Sequence, residues 1–266
     1  MDQKRRLDFL ISELSRESGM LEKWKAGEVD KRRLLRSLMN IRMPGELSSD
    51  ILKVQDEYLK EETARKGIVS VEQIPSVKEA FGSGIRHADR ISVWRGDITR
   101  ISADAIVNAA NSRLLGCFVP CHGCVDNAIH SAAGMQLRQE CFRIMREQGF
   151  EEPEGWAKIT PGYNLPCRYV IHTVGPVVAG ILKNEHCAAL ESCYRSCLET
   201  AKERNFQSIV FCCISTGEFH FPNQRAAEIA LNTVLSFLDR ESGIQRVIFN
   251  VFKETDWDIY RKLVTK

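Results

Sequence analysis

Between Leu115 and Asn127 the chain places three thiols (Cys117, Cys121, Cys124), the imidazole of His122 and the carboxylate of Asp126 in a loop broken by Gly116, Pro120 and Gly123. Thiolate and neutral imidazole are ligand types that zinc favours, and three protein ligands leave a fourth position open for chemistry. Two side-chain amides, Asn108 and Asn111, stand just before this loop, and a helix-like segment opens just after it. A loop able to hold a metal at a helix start, beside two amides, is a candidate active site. Residue types alone leave three arrangements open: three protein ligands, a closed set that includes Cys121, or no metal.

The elements that must position this loop are read from periodicity. Leu7, Leu10, Ile11 and Leu14 predict a first helix ended by Gly19, and Leu34, Leu35, Leu38 and Met39 predict a second. Pro44-Gly45 breaks the second, and Ser48-Ser49-Asp50 caps a third that runs to about Lys60. Residues 1–75 therefore form a helical extension with no motif of their own, a packing or partner-docking element. Residues 76–88 look like a linker, rich in Gly, Ser and charge, and 89–266 form the main domain.

From Arg90 strands and helices alternate. Strands are expected at 91–94, 105–107, 169–174, 208–214 and 246–252, with helices at 125–145, 188–204 and 223–238 and a short one from Thr255. This alternation predicts an α/β fold, a three-layer α/β/α sandwich. Ligands in such sheets sit beyond the carboxyl ends of the strands, where the informative loops fall.

Composition narrows the function. A net charge of +2 gives no bulk attraction for nucleic acid or membrane. The clusters Lys4-Arg5-Arg6 and Lys31-Arg32-Arg33 alternate with acidic residues and read as solvated helix faces. With no apolar leader or membrane-length run, and with several of its 10 cysteines in apolar contexts, the chain is expected to be cytoplasmic with reduced, buried thiols. Cys193, Cys197, Cys212 and Cys213 are examples. His130 and His172 are expected to be satisfied core residues, while His87 and His186 show no partner pattern.

Four loops carry chemistry: Gly96-Asp97-Ile98-Thr99, Asn108 through Asn111, the Cys/His loop leading to Val125-Asp126-Asn127-Ala128-Ile129-His130, and Ile214 through Pro222. In that order and spacing, residues 88–266 resemble a macrodomain, which implies a mixed central sheet and a cleft for ADP-ribose. The resemblance implies that Asp97 accepts from the adenine amine while the backbone of Ile98 meets the ring. Phe252 stacks on the adenine, with a core phenylalanine as the competing reading. Ser215, Thr216, Gly217, Glu218 and Phe219 wrap the diphosphate, Phe221 packs near the distal ribose, and Asn111 hydrogen-bonds that sugar. Asn108 is structural. Asp126 orients the substrate or acts as general base, or else caps the following helix. His220 lies in the diphosphate loop and is a possible contact.

Where many macrodomains carry a run of glycines, this chain keeps only Gly116 and Gly123. In this respect it resembles the microbial, zinc-containing macrodomains linked to sirtuin-like ADP-ribosyltransferases. Their Cys-x4-His-x-Cys pattern falls on Cys117, His122 and Cys124, which implies one Zn2+ ion. The resemblance implies a zinc-dependent hydrolase that removes mono-ADP-ribose from protein side chains, with Asn111 and Asp126 as catalytic residues. It also implies a lipoylated carrier protein and a sirtuin-like transferase as partners. A non-catalytic reader of ADP-ribosylated proteins and a thiol-based redox or metal sensor are the rival readings.

Overall fold

The computed structural model describes residues 1–19, 30–240 and 242–265. Three helices open the chain: α1 (Gln3–Glu17), α2 (Lys31–Ile41) and α3 (Ser49–Lys66). Each starts on a side-chain cap, from Asp2, Asp30 and Ser48 respectively. Leu10, Leu14, Leu34, Leu35, Leu38, Tyr58 and Leu59 form a separate small core, which Met135 joins from the main domain. Arg6 clamps α1 to α3 through Glu57 and Glu61.

The segment expected to be a linker is partly ordered structure. It holds α4 (Val77–Phe81), which Ser76 and Glu79 start with a reciprocal capping box, and before it the extension ends in a two-residue strand β1 (Val69–Ser70). The third helix also runs on to Lys66, because no breaker intervenes before Gly67 at φ +81.

The main domain follows as β2 (Ile91–Arg95), β3 (Ile101–Ser102), β4 (Ala105–Ala110), α5 (Val125–Ala133) and α6 (Met135–Gln148). Then come β5 (Ala157–Pro161), β6 (Tyr169–Val174), α7 (Asn184–Glu203), β7 (Ser208–Phe211), α8 (Asn223–Leu238), β8 (Arg246–Val251) and α9 (Glu254–Val264). The short strand β1 pairs with β3. The six-stranded sheet has the order β2-β8-β7-β4-β6-β5; β5 is antiparallel to β6 and every other pair is parallel. The sheet is therefore mixed. Residues of β7 and Val170–Val174 of β6 are buried whichever way they point, so helices cover both faces in three layers.

Several boundaries differ from expectation. The segment 208–214 pairs only as far as Phe211; Cys212, Cys213 and Ile214 continue as a loop toward the site, so the adjacent thiols lie beyond the strand. One helix over 125–145 becomes two, because Gly134 adopts φ +98, where a Cβ would press on Gln55, Gln136 and Asn164. The edge strand β5 was not anticipated; Ala157, Lys158 and Ile159 are only half-buried and show no apolar run. Among the described residues, no helix is long and apolar enough to cross a membrane.

A candidate active site at the carboxyl end of the central strand

Strand β4 lies between β7 and β6, and the chain leaves it toward β6 and β5 on one side before returning to β7 on the other. Its carboxyl end is thus the switch point at which a crevice opens. Asn108 near that end is fully buried and donates through Nδ2 to Asp126 Oδ1 (2.8 Å) and to His172 Nδ1 (3.1 Å). His172 is its register partner on β6. Because Nδ1 accepts, the His172 proton sits on Nε2 and reaches Thr160 Oγ1 at 2.9 Å. Burial pushes His172 down to about 3, so the ring is neutral.

Asn111 follows the strand. Its Nδ2 donates to Gly116 O (3.2 Å) and points at Asp126 Oδ2 (3.5 Å). Asp126 is buried, and burial pushes its carboxyl up to about 6 despite the Asn108 hydrogen bond and the more remote charge of Arg138. It does not cap α5. That role belongs to Cys124, whose Sγ accepts from Asn127 N at 3.4 Å, which leaves the Asp126 carboxylate free to face the two amides.

Cys117 Sγ, a ring nitrogen of His122 and Cys124 Sγ all lie within 4.8 Å of one another. Cys121 is turned away at φ +52, its sulfur against Arg33 O (3.3 Å) and Ser37 Oγ (3.3 Å). The structure therefore leaves Cys121 outside the cluster. His122 Nδ1 is buried without a hydrogen-bond partner, whereas Nε2 faces Glu218 Oε1 at 3.7 Å. An imidazole grouped with two sulfurs, with one nitrogen orphaned and a carboxylate nearby, suits a cation. Burial, and then the neighbouring Cys117 sulfur, push the Cys124 thiol up to about 12, a balance that a divalent cation would reverse. The residues present fit zinc.

Gly116 is needed where it stands. It adopts φ +77, and a Cβ there would lie 2.8 Å from the buried ring of His130. His130 is not the satisfied core residue expected: neither ring nitrogen has a hydrogen bond, and Nε2 stands 3.5 Å from Asp126 Oδ1. Burial, then His172 and Arg138, hold it well below the usual histidine range, so this proximity is not an ion pair. His87 does have a partner, Asp239 Oδ1 at 2.9 Å, and His186 Nδ1 accepts from Lys183 N.

The diphosphate loop leaves β7 with Ser215 in the left-handed region (φ +63). Its hydroxyl is buried, unpartnered and packed where any side chain at Gly175 would collide. Phe221 N donates to Ser215 O and His220 N to Gly217 O, which closes a tight turn. Within it the N–H groups of Thr216, Gly217, Glu218 and Phe219 have no protein acceptor among the described residues, an arrangement suited to an anion. His220 is exposed at φ +55. Phe221 is fully buried in the core, so its ring supports this loop from beneath and is not presented to a sugar.

At the far end Gly96 N donates to Val251 O at 3.0 Å, which puts Asp97 and Ile98 beside Phe252. Asp97 Oδ1 caps its own turn by accepting from Thr99 N and Oγ1, and Oδ2 lies 3.8 Å from Lys66 Nζ of α3. Ile98 is buried. Phe252 is 75% exposed, which removes the core reading of that ring. The four loops follow the carboxyl ends of β2, β4 and β7, and Phe252 follows β8; β2, β8, β7 and β4 are neighbours in that order. An extended nucleotide can therefore lie along one edge, adenine at β2 and β8, diphosphate at β7 and distal ribose at β4. Sequence reasoning missed, among others, Glu218 as the partner of His122, Lys66 beside Asp97, and Arg138 beneath the Cys/His loop.

Comparison with known proteins identifies the family. A model of the Macro domain family matches residues 107–230. The chain is 48% identical to a Protein-ADP-ribose hydrolase of Treponema medium, over 100% of both chains. It is 42% identical to the protein of that name from Staphylococcus aureus (strain MRSA252), over 97% of this chain and 95% of that one. Among solved structures it is similar to the Trypanosoma brucei macrodomain in complex with ADP-ribose (TM-score 0.66, 32% identity, 90% of this chain and 97% of that one). With relatives this similar across its whole length, the chain belongs to the macrodomain family.

Proposed function

We propose that this chain is a zinc-dependent hydrolase that removes mono-ADP-ribose from modified protein side chains. One observation carries the reading: Asn111, Asp126 and the cluster of Cys117, His122 and Cys124 converge at the end of β4, where the distal ribose of a docked nucleotide would lie. The names of the similar proteins support the activity and the protein substrate.

Hydrolysis breaks the bond between the anomeric carbon and the acceptor side chain and gives that carbon the oxygen of water. Asn111 holds the sugar, and correct placement alone can be worth on the order of 7 kcal/mol or more. The Asp126 carboxylate orients the water and takes its proton; a base whose pKa is about 6 is largely ionised at neutral pH and ready to accept. Asn108 keeps that carboxylate aimed, and His172 keeps the Asn108 amide aimed in turn. Cys117, His122 and Cys124 would hold a zinc ion, which would supply Lewis-acid chemistry beside the anomeric carbon. The lipoylated carrier and sirtuin-like transferase rest on the resemblance alone.

The test is release of ADP-ribose from a mono-ADP-ribosylated protein. Cys117→Ala and His122→Ala are each expected to abolish release while ADP-ribose binding stays measurable by calorimetry. Full activity after complete chelation would contradict zinc dependence, and binding without release would reduce the protein to a reader.

A further inference from the structure

The Cys/His loop has no regular secondary structure, carries Gly116, Pro120 and Gly123, and passes through the left-handed region at Gly116 and Cys121. Such a segment retains much conformational freedom unless other elements remove it. Here the restraint comes largely from residues far away in sequence. Arg36 on α2 directs Nε and Nη2 to Asn127 Oδ1 (3.0 and 2.6 Å), and Nη2 also reaches His122 O (3.1 Å). With its oxygen so engaged, Asn127 points Nδ2 at Val119 O (3.0 Å) and Cys117 O (3.5 Å), while its backbone N–H donates to Cys124 Sγ.

One turn further along α2, buried Asn40 accepts from Cys121 N (2.9 Å) and donates to Ser131 Oγ (3.0 Å). Arg138 of α6 binds the two segments together. It donates to Met39 O, Asn40 O and Arg42 O at the end of α2 (3.0, 2.7 and 2.7 Å) and to Leu115 O and Cys117 O of the loop (2.7 and 3.4 Å). Its guanidinium also covers the Phe118 ring at 4.2 Å.

We propose that the N-terminal helical extension is a working part of the site, with Arg36 and Asn40 as positioning residues that fix the loop bearing Cys117, His122 and Cys124. The proposal deepens the metal reading and rests on it for the identity of the ligands. Arg36 acts through Asn127, whose amide orientation it sets. Without the Arg36 donors, Asn127 Oδ1 loses the partners that pin the amide, and the grip of Nδ2 on the two loop carbonyls loosens. Lysine cannot replace it, because one ammonium cannot reproduce a planar fork with two nitrogens on Oδ1 and one on a carbonyl.

The experiment uses the full chain and two readouts. Zinc affinity is measured by competition with a chromogenic chelator. In metal-stripped protein, the rate at which a thiol reagent modifies Cys117 and Cys124 is followed by mass spectrometry. Arg36→Ala and Asn40→Ala are expected to weaken zinc binding by about 10–100-fold, as loss of an outer-shell partner does. They should also speed modification of both thiols, and lower kcat with KM and ADP-ribose binding nearly unchanged. Arg36→Lys should recover only part of the loss. Arg6→Ala, which disturbs only contacts with Gln3, Glu57 and Glu61 inside the extension, should match the wild type.

Wild-type zinc affinity and thiol rates in both site variants would overturn the proposal. So would an equal loss in Arg6→Ala, which would mean that the extension matters only through general stability. A wild-type protein that takes up no zinc would refute the metal reading, and the thiol rates would still decide whether the extension positions the loop.

Discussion

Asp126→Asn is expected to separate stability from turnover. Burial raises the Asp126 carboxyl from 3.8 to about 6, so the folded protein holds a proton that the unfolded chain has already released between those values. The sign follows: stability from this group is fully present below pH 3.8 and is lost as pH rises through 6. At about 1.4 kcal/mol per pH unit, the ionised group costs the fold about 3 kcal/mol at pH 7.5 and about 1.6 kcal/mol at pH 5. An amide of the same shape removes that term. It also sets an NH2 group against Asn111 Nδ2 or Asn108 Nδ2, and a donor facing a donor costs about 1 kcal/mol.

The variant should therefore be about 2 kcal/mol more stable than the wild type at pH 7.5, with the advantage shrinking by about 1.4 kcal/mol at pH 5. Urea denaturation of both proteins at the two pH values, with chelator present throughout, measures this difference. ADP-ribose release should fall by about 10²–10⁴-fold, the usual contribution of a positioned base. Parallel stabilities at both pH values would refute the burial argument, and preserved turnover would refute the role of the carboxylate.

Two further substitutions probe opposite ends of the cleft. Phe252→Ala should leave stability within about 0.5 kcal/mol, because the ring is exposed. It should weaken ADP-ribose binding by about 1–3 kcal/mol, the worth of one base stacked on an aromatic ring, and unchanged affinity by calorimetry would remove the stacking role. Gly116→Ala combines a left-handed backbone with a methyl group 2.8 Å from the buried His130 ring. It should destabilise by about 1–3 kcal/mol in urea, and a wild-type midpoint would show that the ring can yield.

What the sequence revealed depended on how local each signal was. Strands β2, β4, β6 and β8 are apolar runs bounded by charge or turn residues, and they stand close to where periodicity put them. Apolarity reports burial, not pairing, so Cys212 through Ile214 looked like strand although they leave the sheet after Phe211. The half-buried edge strand β5 lacked any such run. Within the site, the Cys/His loop and its two asparagines were legible because reactive residue types crowd together in sequence. The partners that hold them were not. Arg36 and Asn127 are 91 positions apart, and the acceptors of Arg138 are all backbone carbonyls, which leave no mark in a sequence.

Electrostatics distinguishes the residues that hold the fold from the one that strains it. Glu152 is as buried as any carboxylate here, yet the Lys158 ammonium lies 3.3 Å away and Gln148 donates to it at 2.9 Å. Under Asp126 the polar layer is built differently. His172 and His130 are both held neutral by burial, and His130 is the only group within ion-pair distance of Asp126 among the described residues. Selection for stability alone would favour an amide at position 126 or a cation beside it, because either relieves a penalty of about 3 kcal/mol. The chain instead leaves that penalty on a carboxylate beside Asn111 and the Cys117, His122 and Cys124 cluster. On the proposed function, the strained group is the one that does chemistry, and that is where a fold tolerates such a penalty.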